Sequence, residues 1–290
     1  MSGYELAMGA PCPPPPERSA EVLRRFAEEA RGERPDLSAL CLLVGAAGDG
    51  ALDEDGLDAA QMELDRLAGE LPYRPGGPLA WARALCELLG ERYGFGGSAA
   101  DYQRLDSSLL HEVLRRRRGL PILLSVVWME VARRAGAPVY GVALPGHFVV
   151  GFGPAGEQVL ADPFDGGRVL TGADAELLVA GATGAPLKPS MLEPADPLDV
   201  VLRILNNVRA WAAVRPERSD VALWAVELSL VLPSHPARLR YERAQLLVQR
   251  GDFVGGALEL EAYADLVSVV DESTAEQVRG QAQAARALLN

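Results

Sequence analysis

His147 and Asp162 stand fifteen positions apart in the run Pro145-Gly146-His147-Phe148 … Leu160-Ala161-Asp162-Pro163. A histidine beside a carboxylate is the base and orienting half of an acyl-transfer site: the imidazole takes a proton from a nucleophile, and the acid holds the ring in one tautomer. The missing part is the nucleophile. In the papain-type arrangement it sits at a helix N-terminus, where the helix dipole lowers its pKa. The helix that should open at Leu120-Pro121 begins with Pro121 and Ile122, neither of which carries one. Ser125, one turn further along, is the nearest hydroxyl and completes a conceivable Ser125–His147–Asp162 set. Each member also has a structural reading. A serine inside a helix commonly bonds back to the carbonyl four residues earlier, and a histidine between Gly146 and Phe148 can be a packed ring held by Asp162.

These residues depend on the elements that carry them. The segment Pro121-Ile-Leu-Leu-Ser-Val-Val-Trp-Met-Glu130 is apolar nearly all round, which predicts a central buried helix over 120–135. Proline suits its first position, and Arg133, Arg134, Gly136 and Pro138 end it. The pattern then shifts to strands over 139–144, 147–152 and 158–162. Pairing Phe152 with Glu157 across Gly153–Gly156 makes a four-residue hairpin loop. Paired numbers then sum to 309, which puts His147 opposite Asp162, on one face with Cβ atoms roughly 4.5–5.5 Å apart. A one-residue slip breaks that contact. Asp165-Gly166-Gly167 reads as a chain reversal.

Upstream, residues 1–18 form a Pro-rich tail expected to be disordered or polyproline II, and 19–100 a helical segment. Helix spacing recurs in Ala20, Leu23, Phe26 and Ala27, in Leu57, Met62, Leu64 and Leu67, and in Leu79, Ala82, Leu85, Cys86 and Leu89. Cys86 therefore reads as a core residue. Asp106, Ser107 and Ser108 are candidate N-caps of a helix running to Arg118, with Gly119 at its C-terminus and Arg115–Arg118 as a solvated last turn. The α/β core spans 101–188. Residues 189–290 read as helical pairs, and the distance from Ala222-Leu223 to Leu258-Glu259 is near the 34-residue tetratricopeptide period. Arg250-Gly251-Asp252-Phe253 supplies the turn and Ala257 the small packing position. About two repeats fit.

Net charge of −12 and an isoelectric point near 4.8 argue against a nucleic-acid partner. No apolar run reaches the length of a membrane span, and the opening residues lack a secretory pattern. Three widely spaced cysteines suggest neither disulfides nor a zinc site. His111 and His235 fall on other elements, so no metal and no cofactor is expected. The expectation is a cytoplasmic α+β protein.

The motifs Gly94-Phe95-Gly96-Gly97 with Asp101-Tyr102, Arg115–Ser125, Pro145-Gly146-His147-Phe148, and Asp162-Pro163-Phe164 with Gly166-Gly167 resemble the SirB-type proteins. These join a transglutaminase-like (papain-like) core to C-terminal tetratricopeptide-like repeats, and the resemblance covers roughly 20–285. It implies that His147 and Asp162 match the family's His and Asp. Counting back from Gly136-Ala137-Pro138, it places Pro121 where catalytic members carry cysteine. Family members usually have Asn at the position of Asp106 and a polar residue near Ala143. The resemblance implies a non-catalytic protein that binds a protein or peptide partner, through its repeats above all. The other reading is a hydrolase or acyltransferase acting on an amide or ester through His147 and Asp162, with Ser125 as a candidate nucleophile.

Overall fold

A computed structural model describes residues 11–72, 76–154 and 156–289. Contacts group the chain into two units. One holds Arg34–Ile204 with the residues preceding Pro15, and the other holds Pro15–Glu33 with Leu205–Asn290. Most of the Pro-rich segment expected to be disordered, residues 1–10, lies outside the described residues. Cys12 offers its carbonyl to the Gly50 N–H at 2.7 Å, and Pro16 already starts a helix.

The first unit is built round α6 (Pro121–Arg134), which buries twelve of its fourteen residues, Pro121 through Ala132. Proline at the first position costs no hydrogen bond there, and its fixed φ suits the helix. Against α6 pack α2 (Leu37–Gly48), α3 (Glu54–Gly69), α4 (Pro78–Leu85) and α5 (Leu110–Arg116). In α3 the buried stripe is Leu57, Ala60, Leu64 and Leu67; Met62 is turned outward at 69% exposure. At Cys86–Arg92 the helix begun by α4 widens to π geometry, which breaks the expected stripe. Trp81, Leu85, Leu88 and Leu89 are buried while Leu79 is exposed and Cys86 only half-buried.

The candidate caps Asp106, Ser107 and Ser108 lie in a 3-10 turn, Leu105–Ser108. They do not cap α5, whose N-cap is Leu109. The Ser107 carbonyl instead takes the Leu120 N–H at 2.9 Å, fixing the entrance to α6. The stop comes earlier than Gly119: Arg117 takes the left-handed conformation, φ 61°. Its strain is repaid locally. Its guanidinium pairs with Glu63 at 2.7 Å and lies over the Phe95 ring at 4.7 Å. Arg115 pairs with Glu112, and Arg116 and Arg118 with Asp101. The four arginines are ion-paired, while the side chains of Arg115 and Arg118 stay largely solvated.

Four antiparallel strands follow in the order β1 (Val139–Val142), β2 (Val149–Phe152), β3 (Val159–Asp162) and β4 (Arg168–Leu170). α6 packs on β1 and β2. Another face, with Val142, Val149, Leu160 and Leu170, is covered by Ala175 and Val179 of α7 (Gly172–Thr183). The observed β2–β3 register pairs Val150 with Ala161 and Phe152 with Val159. It is two residues away from the expected pairing, so the connection is 153–158 and not a four-residue loop. Gly153 and Gly156 hold φ near +87° and +88° in it. His147 thus lies outside the ladder. β4, the three residues directly after Gly166-Gly167, is an addition to the three strands expected from the sequence.

The boundary between units falls inside α8 (Pro197–Ala213). The second unit contains α1 (Pro16–Ala30), α9 (Ser219–Val231), α10 (Arg238–Gln249), α11 (Phe253–Ser268) and α12 (Glu272–Ala287). α1 packs on α9. The core of α10–α12 is mostly small: Ala244, Ala257, Ala264, Ala275, Ala282 and Ala285 around Leu260 and Val278. Alanines let helix axes approach closely. The turn has Gly251 at φ +88°, and Asp252 caps α11 through the Gly255 N–H at 2.8 Å.

Candidate functional site

Asp162 ends β3 and opens the 3-10 turn Pro163–Asp165. One carboxylate oxygen accepts the Phe164 N–H at 3.0 Å, and the other lies 2.8 Å from His147 Nε2. The Gly167 N–H returns to the Asp162 carbonyl at 2.7 Å. That turn is braced from outside. The Gly97 N–H donates to the Phe164 carbonyl at 2.9 Å, and a Cβ on Gly97 would collide with the Phe164 ring. Gly90, in the π turn, sits directly against the Gly166 carbonyl. The close approach accounts for Gly97, while Gly94, Gly166 and Gly167 hold left-handed φ; neither reason needs a catalytic role.

His147 follows the turn Pro145-Gly146, where Gly146 has φ +72°. Its N–H bonds the Leu144 carbonyl at 3.2 Å. If the ladder were continued, residue 147 would face 164, and the His147 ring does meet Phe164 edge-on, centroids 6.1 Å apart. Asp162 is then the diagonal neighbour, within reach of an imidazole. The pair meets as expected, by a different route. Side-chain exposure is 14% for His147 and 8% for Asp162. With Nε2 engaged by the carboxylate, Nδ1 is the nitrogen left to act on a neighbour.

Ser125 is fully buried. Its hydroxyl donates to the Phe148 carbonyl at 3.3 Å, bonding neither back along α6 nor to His147. It ties the central helix to the residue after His147. Neither thiol near this core is activated: burial pushes Cys41 far up, and Cys86 is raised by burial and then by Glu91, Glu87 and Asp165.

Two further groups belong to the site. Tyr102, 49% exposed, stacks edge-on against Phe164 at 6.0 Å. Its phenol is pushed up by burial and then by the charge of Asp162, while Arg203 pulls the other way. Arg203, from α8, donates through Nη2 to the carbonyls of Leu144 (2.9 Å) and His147 (2.7 Å) and lies over Phe148 at 5.5 Å. Tyr102 and Phe164 stood in recognisable motifs without a role. Arg203 was passed over, although a lone arginine in Val-Val-Leu-Arg-Ile-Leu, beside buried Val200, Val201 and Ile204, is the kind of charge that needs a reason to be there.

Asp49, His111 and Glu112 bring three donor atoms within 4.8 Å of one another, a grouping that sequence spacing did not suggest. Glu112 already holds Arg115 with both oxygens, at 3.1 and 2.6 Å, and His111 bonds Asp49 at 3.2 Å. Glu112 and Asp49 thus already have partners, while His111 Nδ1 is buried with none among the described residues.

The family model of the transglutaminase-like superfamily matches residues 58–206, the span containing α6, the sheet, His147 and Asp162. The chain belongs to that superfamily. A tetratricopeptide-repeat model matches residues 208–290 of this transglutaminase-like protein. A UPF0162 protein of Xylella fastidiosa (strain Temecula1) is 35% identical over 198 residues, 65% of this chain and 68% of its own. One from Vibrio cholerae is 28% identical over 214 residues, 71% of this chain and 78% of its own. Among solved structures, menin aligns with a TM-score of 0.43 and 13% identity, over 94% of this chain and 69% of its own. Among the described residues no helix is long and apolar enough to cross a membrane.

Proposed function

We propose that this is a non-catalytic transglutaminase-like protein of the SirB type, a protein- or peptide-binding or regulatory module in the cytoplasm. Its C-terminal repeats and the surface round His147 take the partner. Pro121 stands in the position of the family's cysteine. The observation that carries the reading is Ser125: the one hydroxyl within α6 is buried and spent on the Phe148 carbonyl. The base and its acid are therefore left without a nucleophile of their own. The repeat match over 208–290 supports a protein partner.

One observation favours an enzyme instead. His147 is held by Asp162 at 2.8 Å with Nδ1 to spare, the geometry of a base that activates water against an amide or ester. The test compares wild type with His147→Ala and Asp162→Asn across an amide and ester panel. Equal, background rates are expected; turnover in the wild type abolished by both changes would overturn the non-catalytic reading. Affinity purification of partners, repeated with residues 208–290 deleted, tests the role of the repeats.

A further inference from the structure

Arg203 brings a positive charge to the backbone of His147. Among the described residues it forms no ion pair with any carboxylate. Burial depresses its pKa, and the only influence opposing that is Tyr102. Holding the Leu144 and His147 carbonyls occupies Nη2 alone. A guanidinium carries five N–H donors in a planar fork, so Nε and Nη1 remain. Among the described residues neither meets an acceptor, and Arg203 is half-buried rather than sealed in. Half-exposed Tyr102 belongs to the same cluster: its ring meets Phe164, Phe164 meets the His147 ring, and Arg203 holds the His147 carbonyl. Phe164 packs on both Tyr102 and His147, which gives the place an aromatic wall.

We propose that Arg203 and Tyr102 form a recognition site for a single carboxylate carried next to an apolar or aromatic group, as on a peptide partner. A guanidinium fork suits a planar carboxylate, and a phenol adds a neutral donor. The charge of Asp162 already reaches Tyr102, so a dianionic phosphate would meet repulsion that a monoanion meets only in part. The Phe164 and Tyr102 rings take the group attached to the carboxylate. The inference rests on the binding-module reading and gives it a ligand chemistry.

With only three histidines in the chain, ring-carbon NMR of histidine-labelled full-length protein reads the site directly. The probes are benzoate, benzamide and phenyl phosphate. N-acetyl-phenylalanine and N-acetyl-aspartyl-phenylalanine amide then separate a terminal from a side-chain carboxylate. Benzoate should move the His147 resonance saturably and leave His111 and His235 still, and benzamide should bind at least about tenfold more weakly, as loss of a charge-assisted hydrogen bond implies. Arg203→Gln should abolish the response. Tyr102→Phe, at an exposed ring that leaves the carbonyl clamp intact, should weaken it several-fold. Equal binding of benzoate and benzamide, tighter binding of phenyl phosphate, or unchanged affinity in Tyr102→Phe overturns the proposal. Ester or amide turnover that needs His147 would sink the non-catalytic reading while leaving carboxylate binding intact, so the two failures are separable.

Discussion

Gly90→Ala tests the bracing of the Asp162 turn, because two effects of opposite sign act there. Gly90 lies in the π segment Cys86–Arg92. By helix propensity alone, alanine for glycine stabilises by up to about 1 kcal/mol. A Cβ at this position, however, would come within 2.8 Å of the Gly166 carbonyl carbon and closer still to its oxygen. Ordinary carbon–carbon contact is about 3.5–4.0 Å, so the two backbones must part by roughly 1 Å. Both are pinned, the turn by the Gly167–Asp162 and Gly97–Phe164 hydrogen bonds and the π segment by buried Leu88 and Leu89. Overpacking of this kind typically costs about 1–3 kcal/mol, and with backbone on both sides the upper end is expected. The net loss is then about 1–2 kcal/mol, reported by urea unfolding followed at the His147 ring resonance. That resonance should also shift, since Asp162 must move with its turn. Gly280→Ala, inside α12 with nothing within 4 Å of the new carbon, is the control and should gain about 0.8–1 kcal/mol. Equal or greater stability of Gly90→Ala with His147 unmoved would refute the claim that this contact positions Asp162.

Three other outcomes follow from the same contacts. Ser125→Ala should cost about 1–2 kcal/mol by leaving the Phe148 carbonyl without its donor, with no change in the amide and ester panel; a selective loss of turnover would assign the hydroxyl to catalysis. Cys12, which is exposed, should react with a thiol reagent in the native protein while Cys41, its pKa raised by burial, reacts only on unfolding; fast native labelling of Cys41 contradicts its packing. Glu63 is held below the ordinary carboxylate range by hydrogen bonds from Arg66 and Arg117. Its contribution is therefore complete above about pH 4.3 and lost as pH falls through the lower folded value. Glu63→Gln should be less stable than wild type at pH 6–7 and converge with it in acid, as urea midpoints against pH would show.

The α+β class, the central helix from Pro121 and the repeats were legible because each is a long, strongly patterned stretch. The strand register was not. A slip of two residues keeps every side chain on its face, so alternation alone cannot distinguish the expected pairing from Val150 with Ala161. Gly153 and Gly156, with their left-handed φ, decide the loop length. β4 is only Arg168-Val169-Leu170, too short to show a period. The amphipathic face of α1 announced burial of Phe26 and Ala27 but not its partner, which turned out to be α9. The site was half legible for a related reason. His147 and Asp162 are close in sequence, whereas Arg203 reaches the His147 carbonyl from 56 residues away.

The His147–Asp162 pair is weaker evidence of catalysis than its geometry suggests. Asp162 does not exist to hold the imidazole alone. The same carboxylate caps the turn through the Phe164 N–H, and that turn is packed against Gly90 and Gly97. Its removal would expose a buried donor and loosen the β3–β4 connection whether or not any proton is ever transferred. His147 in turn packs on Phe164, and its carbonyl is one end of the Arg203 clamp. Each residue thus has packing and hydrogen-bonding roles that do not depend on catalysis. What these contacts leave over is the rest of the Arg203 guanidinium, which meets no carboxylate among the described residues. A clamp on two carbonyls uses one guanidinium nitrogen. The guanidinium also lies over Phe148, and the carboxylate proposed above is what its remaining donors would meet.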